Sequence, residues 1–166
     1  MAADGQSMNI EFKAIGTIHT PYDEPEGMPI QPPGGEGVNG SVEIFPEYVA
    51  GLRDLDGFSH IILIYYLHEA GEAKLTVVPF MDDRSRGVFS TRAPSRPNAI
   101  GLSVVKLNRI EGGRLEIENV DILDGTPLLD IKPYIPEVDH QPADRVGWLT
   151  GKKKRFAGKK SDDRFK

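Results

Sequence analysis

Residues 100–120 read IGLSVVKLNRIEGGRLEIENV. Apolar and polar side chains alternate after Gly101, and they alternate again from Arg114 onward. Between the two runs stands Glu111-Gly112-Gly113, a turn signal flanked by strand-like sequence. Alternation of period two on both sides of a glycine turn predicts a β-hairpin. The same reading extends in both directions along the chain. Upstream, 12–18 (FKAIGTI), 41–45 (SVEIF), 74–79 (KLTVVP) and 87–91 (GVFST) are predicted strands. The run 59–67 (SHIILIYYL) is β-branched and apolar enough for a central strand buried on both faces. Downstream, 128–134 carries a last short strand or turn. Proline opens a predicted single helical turn or short helix at 46–52.

Short strands separated by turns, with little helical periodicity, predict an all-β sandwich or barrel. No strand–helix alternation, GxGxxG loop or P-loop accompanies them, so a Rossmann-type fold is not expected. With 166 residues, one domain with a real core is expected. Residues 1–9 read as a disordered leader, 10–148 as the β domain and 149–166 as a tail. Residues 21–40 are too rich in proline and glycine for regular structure. Loops of that length in compact domains are functional or disordered.

The chain has no cysteine, which excludes disulfides, thiolate catalysis and cysteine-based metal sites. No apolar run approaches the roughly 20 residues of a spanning helix. The N-terminus lacks a basic-then-apolar signal, and a cytoplasmic protein without a membrane partner is expected. The net charge of −5 hides an asymmetry. Residues 151–166 hold eight basic and two acidic side chains, which makes the tail +6 and the rest −11. A cationic tail suits a polyanion such as nucleic acid, or it folds back on the acidic body.

Four groups of residues carry chemistry. In 91–103 (TRAPSRPNAIGLS), Arg92, Arg96 and Asn98 sit in a proline-stiffened loop beside a strand. Guanidinium forks there suit a carboxylate, a phosphate or a base edge. His60 and His68 bracket the long apolar strand. Even spacing would put both on one face, but they are too far apart to share a metal, and no metal site is expected. His68, with Glu69 at the strand end, is the better functional choice. Asp121, Asp124 and Asp130 lie in an apolar context and offer acceptors for hydroxyls, amines or a cation, or a base, though no EF-hand spacing appears. The tetrapeptide from Asp124 to Pro127 is also a strong turn signal. Finally, the loop 27–34 (GMPIQPPG) has the character of a cover over an apolar ligand.

These blocks, with IGTIHTPY, LDGFSHIILIYYLH, GVFSTRAPSRPNAIGLS and DILDGTPLLDIKPYIP, make the chain strongly resemble the TsaA/TrmO family of S-adenosylmethionine-dependent tRNA methyltransferases. The resemblance runs from about residue 15 to 138. It implies a small antiparallel β-barrel with short helices, a homodimer, and a cofactor site near the protomer interface. It implies N6-methylation of threonylcarbamoyladenosine beside the tRNA anticodon. Cofactor contacts would fall on Gln31, Pro32, Pro33 and Gly34, on His68 and Glu69, on Arg92 and Leu102, and on Asp121, Ile122, Leu123 and Asp124. Arg96 and Asn98 would meet the substrate. Asp121, Asp124 and His68 are the choices for a catalytic base, in that order. Longer bacterial members continue into a C-terminal domain, for which the basic tail here is a candidate substitute in tRNA docking. A methyltransferase for another RNA or small molecule, and a non-catalytic cofactor- or nucleic-acid-binding module, stay open as alternatives.

Overall fold

The computed structural model describes residues 8–30, 32–152, 159–162 and 164. Six strands close into an antiparallel barrel. They are β1 (Gly16–His19), β2 (Asn39–Ile44), β3 (His60–Tyr66), β6 (Ile100–Glu111), β7 (Arg114–Glu118) and β8 (Thr126–Pro133). Around the barrel the order is β1-β2-β7-β6-β3-β8 and back to β1. A separate ribbon pairs β4 (Thr76–Val77) with β5 (Arg86–Gly87). The expected all-β architecture is therefore a barrel.

The hairpin read from the sequence is β6–β7, closed at Glu111 opposite Arg114. Gly112 sits at φ +58°, a left-handed turn conformation that glycine adopts without steric cost. Alternate residues of each strand fill the interior. Ile18, Val42, Ile61, Leu63, Val105, Leu115, Ile117 and Leu128 are fully buried. Dry burial of such branched side chains stabilises by roughly 1.5–3 kcal/mol each, and closure leaves the sheet without an edge.

Several expected strands change. The first begins at Gly16 rather than Phe12, which is exposed. Strand β3 buries Ile61, Leu63 and Tyr65, while Ile62 and Ile64 are only half-buried, so it is covered on one face. The segment 74–79 pairs only at Thr76–Val77. The segment 87–91 turns at Val88–Ser90 into a short 3-10 helix. The Ser90 hydroxyl donates to Gly87 O and the Thr91 hydroxyl to Val88 O, both at 2.8 Å, and such local bonds compete with a ladder. Among the described residues one α-helical turn, α1 (Pro136–Asp139), follows β8, where the sequence pattern predicts none.

The described part of the tail lies on the body. Lys152 Nζ reaches Asp82 Oδ1 at 3.1 Å, and Arg86 meets Asp82 Oδ2 at 2.7 Å. These cations hold the Asp82 carboxyl far below the usual range, Arg86 most strongly. Trp148 anchors the tail's root by donating to Ser90 O at 2.8 Å, with Lys152 and Arg86 over its ring. Lys153, Lys154 and Arg155 lie outside the described residues. Among the described residues no helix is long and apolar enough to cross a membrane.

Candidate functional site

Because β3 runs antiparallel to both β6 and β8, the end of β3 and the starts of β6 and β8 lie at one rim of the barrel. Tyr65, Ile100 and Thr126 mark that rim. Four loops rise from or over it, carrying residues 25–30, 67–70, 91–98 and 121–123. Between them lies a cavity of about 490 Å³. That size falls within the usual range for small-molecule sites. His68, Glu69, Arg92, Arg96, Asn98, Leu102, Asp121, Ile122 and Leu123 all line it. These residues span about a third of the sequence, and the topology brings them together.

Asp121 ends a hydrogen-bond chain on this wall. Ser103 Oγ donates to its Oδ1 at 2.7 Å. Tyr65 Oη stands 2.8 Å from Ser103 Oγ. Since Ser103 gives its single proton to Asp121, the phenol is the donor of the second bond. Burial, and then the charge of Asp121, raise the Tyr65 pKa and keep that phenol protonated. The chain of donors therefore runs Tyr65 to Ser103 to Asp121. Burial pushes the Asp121 carboxyl up to about 6, against the opposing pull of the Ser103 hydrogen bond and of the Arg92 charge. A carboxylate with this pKa holds or releases a proton close to neutral pH, as proton-transfer groups require.

His68 reaches the cavity on the turn after β3, closed by Ala70 N donating to Leu67 O. Its Nδ1 lies 3.4 Å from Thr126 Oγ1, whose hydroxyl is already donated to Leu123 O at 2.6 Å. Nδ1 is thus the donor in that contact, and Nε2 lies 3.9 Å from Glu69 Oε1. His60 is elsewhere, hydrogen-bonded to Ser59 and edge-on to Tyr134. The expectation of two histidines on one face fails because β3 ends at Tyr66 and a turn, not a strand, carries His68.

The arginine loop is built from its own polar groups. Thr91 Oγ1 accepts from Ala93 N at 3.2 Å, and Arg96 Nη1 donates to the carbonyls of Thr91 and Ala93 at 3.2 Å each. Arg96 thus stiffens the loop as well as lining the cavity. Arg92 is exposed, and its charge acts on both Asp121 and Tyr65.

Asp124 does not line the cavity. Its Oδ1 accepts from Thr20 N at 2.9 Å, its backbone N donates to Tyr22 O at 2.8 Å, and His19 Nδ1 lies 3.5 Å away. It fastens the exit of β1 to the 121–125 loop. Asp130 pairs with Lys132 at 2.9 Å, also away from the cavity. Gln31 and the side chains of Pro32 and Pro33 lie outside the described residues. Gly34 is in the 3-10 turn Pro32–Gly35 and is absent from the lining, whereas Met28, Pro29 and Ile30 of the same loop are present.

The sequence reading did not include Tyr65, Ser103, Thr126, Phe80 or Ser161. Ser103 was legible as a polar residue on the buried face of an alternating strand, a pattern that asks for a partner. Tyr65 and Thr126 stand on β3 and β8, where long-range pairing brings them to the cavity, and Phe80 and Ser161 come from loops that leave no local signal.

A family model for the tRNA-methyltransferase O N-terminal domain matches residues 17–140. A probable S-adenosyl-L-methionine-binding protein of Pyrococcus abyssi is 50% identical over 154 residues, covering 93% of this chain and 84% of its own. The mouse tRNA (adenine(37)-N6)-methyltransferase is 46% identical over 98 residues, covering 57% of this chain and 22% of its own. The crystal structure of TrmO from Pseudomonas aeruginosa superposes with a TM-score of 0.71 at 38% identity and covers 85% of this chain. The chain spans 63% of the length of that solved protein. On its sequence and its barrel alike, the chain belongs to the tRNA-methyltransferase O N-terminal domain family.

Proposed function

We propose that the protein is an S-adenosylmethionine-dependent methyltransferase of the cytoplasm that methylates N6 of threonylcarbamoyladenosine in tRNA. The observation that supports it most is Asp121, a half-buried carboxyl with a pKa of about 6 on the wall of a small-molecule cavity. The lining fits the cofactor chemically. Met28, Ile30, Phe80 and Leu123 offer apolar surface for a base, while Arg92, Glu69 and Asp121 offer partners for a carboxylate, an ammonium and hydroxyls. When bound, the cofactor supplies a methyl group activated on a sulfonium.

The protein's own residues supply the rest. The acceptor nitrogen is urea-like and weakly nucleophilic, so its proton must leave at or near transfer. Asp121 takes that proton at the carboxylate oxygen, and the Ser103–Tyr65 donor chain holds the carboxylate in place. His68 Nε2 stands on the same wall as a second acceptor. Arg92 meets the carboxylate of the cofactor, for which a guanidinium fork is suited. Arg96, braced by its own loop, and Asn98 face the substrate.

A second copy of the chain completes the mouth of the site in this reading. Tyr66, Ile100 and Leu102 are 47%, 42% and 54% exposed, and Tyr66 pairs with Ile100 in the β3–β6 ladder. Together they make an outward apolar patch beside the cavity, the type of surface that associates. The name carried by the Pyrococcus relative states cofactor binding alone, and a cofactor-binding module is the second reading.

Calorimetry with Arg92→Ala tests the assignment. S-adenosylmethionine is expected to bind the intact protein, with Kd rising roughly 10–100-fold in the variant, as for loss of a charge-assisted pair. The KM for tRNA is expected to stay within about twofold of the wild type. If the tRNA KM moves instead, the guanidinium serves the threonyl carboxylate. If neither moves, Arg92 is not the anion clamp.

A further inference from the structure

The family match ends at residue 140, but the cavity wall does not. Ser161 and Asp162 line it from the C-terminal segment. That segment is bonded to the loop over the cavity. Gly27 N donates to Ser161 O at 3.0 Å and Ser161 N donates to Met28 O at 2.9 Å. Lys160 forms an antiparallel bridge with Pro29. The Ser161 hydroxyl points at the carbonyls of Pro25 and Met28. A second anchor lies at the opposite side. Arg164 holds Asp162 through Nε and Nη2 at 2.8 and 2.7 Å, donates to Pro79 O at 2.8 Å, and packs 5.3 Å from the Phe80 ring.

Both anchored loops contribute to the cavity, through Met28 on one side and Phe80 on the other. Neither loop belongs to a barrel strand. Loops tied by so few ladder bonds open at little cost, and closing elements of this kind commonly govern release. We propose that residues 159–162 and 164 form a strap that completes the cofactor cavity and sets how fast S-adenosylmethionine leaves it. The proposal rests on the functional reading above for the identity of the ligand. It assigns a binding role to Ser161 and Asp162, outside the family domain.

Two variants test it: a chain ending after residue 158, and full-length Ser161→Pro. Proline removes both the amide donor to Met28 and the hydroxyl. Dissociation is read by chasing labelled S-adenosylmethionine with unlabelled ligand, and Kd by calorimetry. Both variants are expected to release ligand roughly tenfold faster and to weaken Kd by about the same factor, with association within about twofold of the intact chain. Wild-type release from both variants would overturn the strap. If the intact chain binds no S-adenosylmethionine, the functional reading fails and hydrogen exchange decides the strap by itself. A Gly27 amide protected in the intact chain and exposed in the truncated one supports it, and an amide equally exposed in both rejects it.

Discussion

Asp121→Asn is expected to lower the methyl-transfer rate by about 10²–10⁴ while making the fold more stable. The rate loss is that of a positioned proton acceptor replaced by an amide that cannot take the proton. The gain in stability follows from the raised pKa. The folded protein holds the Asp121 proton up to about pH 6, whereas the ordinary value is 3.8. From pH 4 to 6 the folded state therefore binds more protons than the unfolded chain, and stability falls as pH rises through that window. Above about pH 6 the full penalty of the buried charge is in place. Asparagine has no such penalty, so the variant should exceed the wild type by about 1–3 kcal/mol above pH 7, and the gap should close toward pH 4. In the wild type the rate should rise with pH through about 6. Asp124→Ala should do the reverse, retaining the rate and losing about 1 kcal/mol, because its carboxylate holds Thr20 N rather than the cavity. Thermal melts at several pH values and single-turnover rates read all of these effects. A Tm for Asp121→Asn below that of the wild type at pH 8, or an unchanged rate, would remove Asp121 from the centre of the site.

Gly35→Ala should damage stability and the site together. Gly35 is buried, and a Cβ there would stand 2.1 Å from the backbone oxygen of Val120. Backbone cannot move aside as the tip of a flexible side chain can. The loop ending in Pro32–Gly35 must lift, or Val120 must shift and carry its neighbour Asp121 with it. Overpacking of this kind typically costs 1–3 kcal/mol. Because the same loop presents Met28, Pro29 and Ile30 to the cavity, cofactor affinity should fall roughly tenfold or more in the folded variant. An alanine variant that melts and binds like the wild type would show that this contact does not position the loop.

The barrel was legible because period-two alternation is a local property. The hairpin at 100–118 is where the pattern says it is, and its register follows from the turn as far as Arg109, beyond which a bulge shifts it by one residue. What did not show was where alternation ends. Residues 87–91 look like a strand until the Ser90 and Thr91 hydroxyls bond their own backbone, and residues 12–14 extend the pattern ahead of β1, whose first backbone bonds are made by Ile15. The site was legible in its charged members, since Arg92, His68 and Asp121 stand out from apolar surroundings. Their division of labour was not. Asp121 and Asp124 are three residues apart in one acidic segment and look alike in sequence. Only the fold gives one a buried serine and the other a half-buried backbone amide. Ser161 carried no signal, because its role depends on a contact with residues more than 130 positions away.

The central claim is methyl transfer to a tRNA base. The direct measurement is nucleoside mass spectrometry after incubating tRNA bearing threonylcarbamoyladenosine with the protein and S-adenosylmethionine carrying an isotopically labelled methyl group. One labelled methyl is expected on the modified adenosine, present with the wild type and nearly lost with Asp121→Asn. Tight cofactor binding with no label in any nucleoside would contradict it and leave a cofactor-binding module in its place.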